Sequence, residues 1–195
     1  MINSVALYDT LYIGNKLQKY LDDFNSSEIQ LFCYFSCLLS LYDGNPISFW
    51  GYNFIRNGIG VPLSNDVSES LMVLLRNEEL IVNNEYYNIT KNGLEKCNVL
   101  SSITIFNTRI KYLDAACDSL LSIPEGLIRN AINNEPVLNG AIYSSLRNLI
   151  DEENGSISIL YEQFELLQSV FQSQEDDLFI PATTWIRYLQ TKLTD

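Results

Sequence analysis

The sequence predicts a mainly α protein. Residues 1–98 read as an α+β front half in which helices surround a small β-wing, and residues 99–195 read as a helical bundle. Two observations carry this reading. Apolar residues recur at helical spacing through most of the 195 residues, and strand-like segments around an Asn-rich turn occur at one place, near Asn83-Asn84-Glu85. No internal repeat or low-complexity tract divides the chain otherwise.

In chain order, Ile13, Leu17, Tyr20, Leu21 and Phe24 place a short amphipathic helix over residues 13–24. Ser26-Ser27-Glu28 supplies a cap and an acidic first turn for a helix running to about Leu41, where Asp43-Gly44-Asn45-Pro46 ends it. That helix is apolar nearly all round and is expected to be buried. Ile47 to Pro62 is rich in aromatics and Gly, too irregular for a helix, and reads as a short strand plus a loop.

From Ser64 the pattern sharpens. Ser64-Asn65-Asp66 caps a helix in which Val67, Leu71, Leu74 and Leu75 share a face. Leu80-Ile81-Val82 then forms a strand, Asn83-Asn84-Glu85 a turn, Tyr86 to Thr90 a second strand, and Lys91-Asn92-Gly93-Leu94 opens another helix behind a Thr90 cap. Helix, strand, turn, strand, helix in this order is the layout of a winged-helix domain, and "ELIVNNEYYNITKNG" resembles a phrase common among winged-helix proteins. Winged helices serve both as DNA readers and as protein-interaction modules, so the fold leaves the function open.

Behind Cys97 the chain reads as all helix. Ile105, Ile110, Leu113, Ala116, Cys117, Leu120 and Leu121 predict one long helix up to Pro124. Helices are further expected over Pro124–Asn133, Val137–Glu153, Ile157–Gln172 and, behind Pro181, Thr183–Leu193.

Charge narrows the function classes. Twelve Lys plus Arg face 24 Asp plus Glu, giving a net charge of -12. The deficit is shared by both halves, so neither hides the basic face that a free duplex-DNA binder needs for phosphate contacts. The chain has no His. Ser-His, Cys-His and His-metal chemistry are therefore excluded, which leaves carboxylate, Lys, Tyr or Cys chemistry. Cys33, Cys37, Cys97 and Cys117 contain no CxxC pair and read as reduced core positions. Asn57-Gly58-Ile59-Gly60 lacks the Lys-Ser/Thr of a phosphate loop and reads as a turn. The acidic pairs at 22–23, 78–79, 151–153 and 175–177 fall at helix ends and turns, where solvated faces are expected. The expectation is a protein that is not an enzyme and uses no cofactor. Residues 1–14 lack the basic start and apolar run of a signal peptide, and no stretch approaches the ~18 apolar residues of a membrane span, so a cytoplasmic location is expected.

The charged share of 18% lies below the usual ~25%, and Tyr and Phe are numerous at 12 and 9. Both point toward a subunit that buries surface against partners. Phe49, Trp50, Tyr52 and Phe54 either pack in the core or line a partner groove; Trp185 and Tyr188, three apart in the last helix, either cap the bundle or dock a partner. The candidate partner-binding residues are thus Trp50, Tyr52, Phe54, Trp185 and Tyr188. For a DNA-reading alternative, the helix before the wing offers Asp66, Ser68, Glu69, Ser70 and a single base, and phosphate contacts fall to the scattered Arg56, Arg76, Lys91 and Lys96.

An acidic winged helix with a helical second half, led by "SSEIQLFCYFSCLLSLYDGNPISF", resembles the small middle component of bacterial ABC three-component defence systems of the Lamassu type. The texture of the resemblance covers residues 26–98. It implies a non-catalytic adaptor in an anti-phage hetero-oligomer, bridging an SMC-like, Rad50-like ATPase and an effector, often a nuclease, and restraining that effector until foreign DNA is sensed. DNA would then be met only through the complex. The family brings no catalytic residues. The alternative on the same fold is a winged-helix transcriptional regulator or antitoxin.

Overall fold

The computed structural model describes residues 2–141, 148–171 and 177–191. The chain is mainly helical around one long buried helix. α1 (Ser4–Leu21) leads through the two-residue strand β1 (Phe24–Asn25) into that helix, α2 (Ser26–Tyr42). A 3-10 turn at Ile47–Phe49 and a small hairpin, β2 (Ile55–Arg56) and β3 (Pro62–Leu63), precede α3 (Asn65–Arg76). The hairpin β4 (Leu80–Asn83) and β5 (Tyr86–Ile89) follows, then α4 (Lys91–Ser101), α5 (Thr104–Asn107), α6 (Ile110–Leu121), α7 (Glu125–Asn134), α8 (Pro136–Gly140), α9 (Gly155–Phe171) and α10 (Phe179–Thr191). The larger sheet is antiparallel in the order β1-β5-β4, with Phe24 opposite Tyr87 and Leu80 opposite Ile89.

The first helix begins nine residues before its expected start at 13. Asn3 caps it, its Oδ1 accepting from the backbone N–H of Val5 and Ala6 at 3.1 and 3.2 Å. The apolar face Leu7, Leu11, Ile13 and Leu17 is interrupted in the sequence by Asp9, a charge that in the fold is buried with the rest. Helix α1 ends at Leu21, three residues before the expected 24, because Asp22 takes φ 65 and turns the chain so that Phe24 can enter the sheet. The cap of α2 is Asn25 rather than Ser26 to Glu28: its side chain accepts from Glu28 N–H at 3.0 Å while Glu28 accepts from Asn25 N–H at 2.7 Å. Ser64 stands at the N-cap of α3 without a side-chain bond; instead Gln30 of α2 grips its backbone, accepting from N–H at 2.7 Å and donating to the carbonyl at 3.1 Å.

The strands and turn of the hairpin lie where the sequence places them, with Asn84 at φ 57 in the turn. Thr90 caps α4 as expected and also donates to the Glu78 carbonyl at 2.8 Å. Gly93 explains the small residue in "TKNG": a Cβ there would stand 2.2 Å from the Glu79 carbonyl oxygen and 2.9 Å from Ile89.

Three expectations for the back half are corrected. The long helix over 105–121 is two, because Arg109 falls at the break between α5 and α6 and extends into the core. Of the helix expected over Val137–Glu153, the described residues show α8 up to Gly140; residues 142–147 lie outside those described, and beyond them Leu149 N–H bonds the Phe54 carbonyl at 2.7 Å while Asn148 pairs with Ile55, so the far end of the expected helix joins the edge of β2. The last helix starts at Phe179, four residues early, since Pro181 sits in its first turn where no N–H is missed; Gln172 and Leu193, the expected ends of α9 and α10, are outside the described residues. The boundary expected between 98 and 99 falls inside α4, and one continuous apolar core takes in Leu11, Phe35 and Phe54 from the front with Leu113, Leu160 and Trp185 from behind.

The two segments are pinned by a buried ion pair. Asp9 is fully buried and Arg109 nearly so, and the pair is two-pronged, Nε to Oδ1 at 2.9 Å and Nη2 to Oδ2 at 2.5 Å. Tyr52 adds a hydrogen bond to Oδ2 at 2.8 Å, and Arg109 stacks on Trp50 with 3.8 Å from its central carbon to the ring centroid. Arg109→Met strands Asp9 and is expected to lower stability in urea unfolding by about 3–5 kcal/mol, whereas the double change Asp9→Leu with Arg109→Met recovers most of that loss. Gly93→Ala is expected to cost about 1–3 kcal/mol in the same measurement through its clash with Glu79.

Candidate functional site

Four of the five candidate partner-binding residues are core. Trp50, Tyr52, Phe54 and Trp185 are 1%, 7%, 0% and 1% exposed, so they present no groove to another protein. They form part of a chain of ring contacts: Trp50 to Tyr52 at 5.8 Å, Tyr52 to Phe54 and Phe54 to Tyr34 at 5.3 Å, then Phe35 to Trp185 at 5.8 Å and Trp185 to Phe164 at 5.2 Å. Trp185 donates its indole N–H to Gln163 at 2.9 Å. Tyr188 is the exception at 46% exposed. The sequence alone leaves core and groove open for these residues, because aromatic content serves both; what decides is α2, against which Phe54 and Trp185 fold through Tyr34 and Phe35.

The four candidate phosphate-contacting bases sit on three elements. Arg56 is on β2, half-buried, with its guanidinium over Gly60. Arg76 is exposed at the last turn of α3. Lys91 and Lys96 are on α4, and Lys96 is already held by both oxygens of Glu79 at 2.8 and 2.9 Å, while Lys91 faces Glu95 at 3.7 Å. The open face of α3 carries Glu69, Met72 and Arg76 at helical spacing, with Met72 63% exposed. Beside it, the β4–β5 hairpin exposes Ile81, Val82, Glu85 and Tyr86. This front is apolar with acidic edges, chemistry suited to a protein surface and poorly suited to phosphate. Met72 and the hairpin residues were not singled out from the sequence; the signal available there is an apolar residue on the polar side of the α3 periodicity.

The titratable groups of the interior serve structure. Burial pushes the thiols of Cys33, Cys37, Cys97 and Cys117 up, which keeps them protonated and poor nucleophiles. Glu135, fully buried, caps α8 by accepting from Val137 and Leu138 N–H at 3.0 and 2.8 Å and takes a third hydrogen bond from Tyr34 at 2.9 Å. An open groove of about 680 Å³ lies beside α6, lined by residues including Asp43, Asn45, Phe49, Lys111 and Tyr112. Its polar groups bind one another: Asp43 takes Lys111 at 2.5 Å and Tyr112 at 2.6 Å, and Asn45 donates to the Tyr112 hydroxyl at 2.6 Å. Among the described residues no three Cys, Asp or Glu side chains converge so as to hold a metal ion, and no helix is long and apolar enough to cross a membrane.

No protein-family model, curated protein or solved structure matches this chain.

The carboxyls of Asp9 and Glu135 are both raised, burial being the main cause. A raised carboxyl holds its proton more tightly in the folded state, so the stability it contributes is present at acid pH and is lost as pH rises through the raised value. Tyr8, pushed up to about 12 by burial, adds a second loss above the ordinary Tyr range. The urea midpoint is therefore expected to fall as pH rises from about 10 to about 12, the range over which Tyr8 loses its proton first in the unfolded and then in the folded chain.

Proposed function

We propose that this chain is a non-catalytic accessory subunit of a cytoplasmic SMC-like ATPase defence complex of the Lamassu type. In that hetero-oligomer it bridges the ATPase and a nuclease-like effector, restrains the effector until foreign DNA is sensed, and meets DNA only through the assembly. The front half is read as a winged helix: apart from the β2–β3 hairpin inserted between α2 and α3, the order α1, β1, α2, α3, β4, β5, α4 is the one that fold has, and the sheet order β1-β5-β4 supports the same reading.

The single observation that carries the functional reading is the face of α3, the element a DNA-reading winged helix lays in the major groove. Here it offers Glu69 and an exposed Met72 with Arg76 as its base, beside a hairpin turn carrying Glu85, on a chain of net charge -12. Such a surface repels phosphate and favours a protein contact. The fully buried carboxylates and raised thiols support a scaffolding role over a chemical one.

Affinity purification of the tagged chain expressed from its native gene neighbourhood is expected to bring down a large coiled-coil ATPase in stoichiometric amount; a lone monomer would sink the proposal. A gel shift of the isolated chain on its own promoter separates the regulator alternative, which needs a specific, salt-sensitive complex where the adaptor gives none.

A further inference from the structure

Helix α9 buries one side and leaves an apolar stripe on another. Ile157, Leu160 and Phe164 face the core, whereas Ile159, Leu166 and Val170 are 47%, 68% and 72% exposed. Spacings of seven and four residues put those three on one line along the helix. Glu162 and Glu165, both exposed, stand on the flank of that line, and α9 contains no Lys or Arg. The imbalance extends beyond the helix: between Arg147 and Arg187 the chain carries eight acidic residues and no Lys or Arg. A stripe of this length is what an amphipathic helix covers, and the one-signed flank selects its charge.

We infer that the Ile159, Leu166 and Val170 face of α9 docks an amphipathic helix of a partner protein whose apolar stripe is flanked by Lys and Arg. A second copy of this chain brings the same acids to the contact and is disfavoured by like-charge repulsion. A basic helix gains on both counts, since its apolar side chains leave water against the stripe while its cations meet Glu162 and Glu165. The inference rests on the reading of the chain as an interaction subunit and names the surface that reading left open.

The test uses the full chain and a labelled synthetic helix of about five turns with Leu on one face and Lys on the other, followed by fluorescence anisotropy. A matched peptide with Glu in place of Lys is the control. The Lys peptide is expected to bind, the Glu peptide not. Leu166→Asp with Val170→Asp should weaken binding at least about tenfold, and Glu162→Lys with Glu165→Lys likewise. Ile59→Asp, at a still more exposed apolar residue of the β2–β3 turn, should leave it unchanged. All the substituted side chains are exposed, and circular dichroism checks that each variant keeps its helix content. No binding by the Lys peptide, equal binding by the Glu peptide, or binding indifferent to the α9 changes overturns the proposal. So does a dimer of the free chain that Leu166→Asp dissociates. If the peptide binds at α9 yet no ATPase co-purifies, the ATPase assignment fails and this surface stands; the converse removes the surface and leaves the adaptor.

Discussion

The ion pair between Asp9 and Arg109 is the constraint on which the rest of the arrangement depends. A carboxylate with no exposure in the middle of α1 costs several kcal/mol in desolvation unless a cation meets it with good geometry. Arg109 does so with two parallel hydrogen bonds, from the turn that separates α5 and α6. Trp50 and Tyr52 close the site from the segment between α2 and β2, one by stacking and one by a hydrogen bond, so three distant stretches of chain are fixed around one charge. Such a pair adds little net stability; what it fixes is which stretch of chain meets which.

From that point the aromatic chain carries the order across the molecule. Trp50, Tyr52 and Phe54 lead to Tyr34 on α2, and its neighbour Phe35 leads to Trp185 on α10 and Phe164 on α9. Tyr34 also ties α2 to Glu135, the cap of α8. Front and back halves therefore share one continuous core.

The surface divides the labour differently. With Trp50, Tyr52, Phe54 and Trp185 turned inward, the exposed apolar residues are mostly aliphatic: Met72 and, with Tyr86, the β4–β5 hairpin in front, Ile159, Leu166 and Val170 behind. Two separate apolar faces on an acidic body suit a part that holds two neighbours at once, and they suit poorly a body that grips a nucleic-acid backbone by itself.

How much is legible in the sequence follows from the range of the interactions. Helical periodicity, the Asn-rich turn, the Thr90 cap and the buried character of α2 are set by residues within a few positions of one another, so α2, α3, the β4–β5 hairpin and α4 follow from local pattern alone. The net charge of -12 and the lack of His likewise settle which chemistries are closed to the chain. Where long-range contacts govern, the sequence is silent or misleading. Asp9 looks like an interruption of an apolar face until Arg109, 100 residues away, is seen beside it. The expected helix through Val137–Glu153 yields to the bond between Leu149 and Phe54. Trp50, Tyr52, Phe54 and Trp185 have the composition of an interface and the position of a core. The sequence by itself determined the elements set by local pattern, α2, α3, the β4–β5 hairpin and α4, and the sign of the net charge; the tertiary structure alone decided where the remaining helices break and which apolar residues face water, because burial depends on what stands opposite, and that is not written within any one turn of helix.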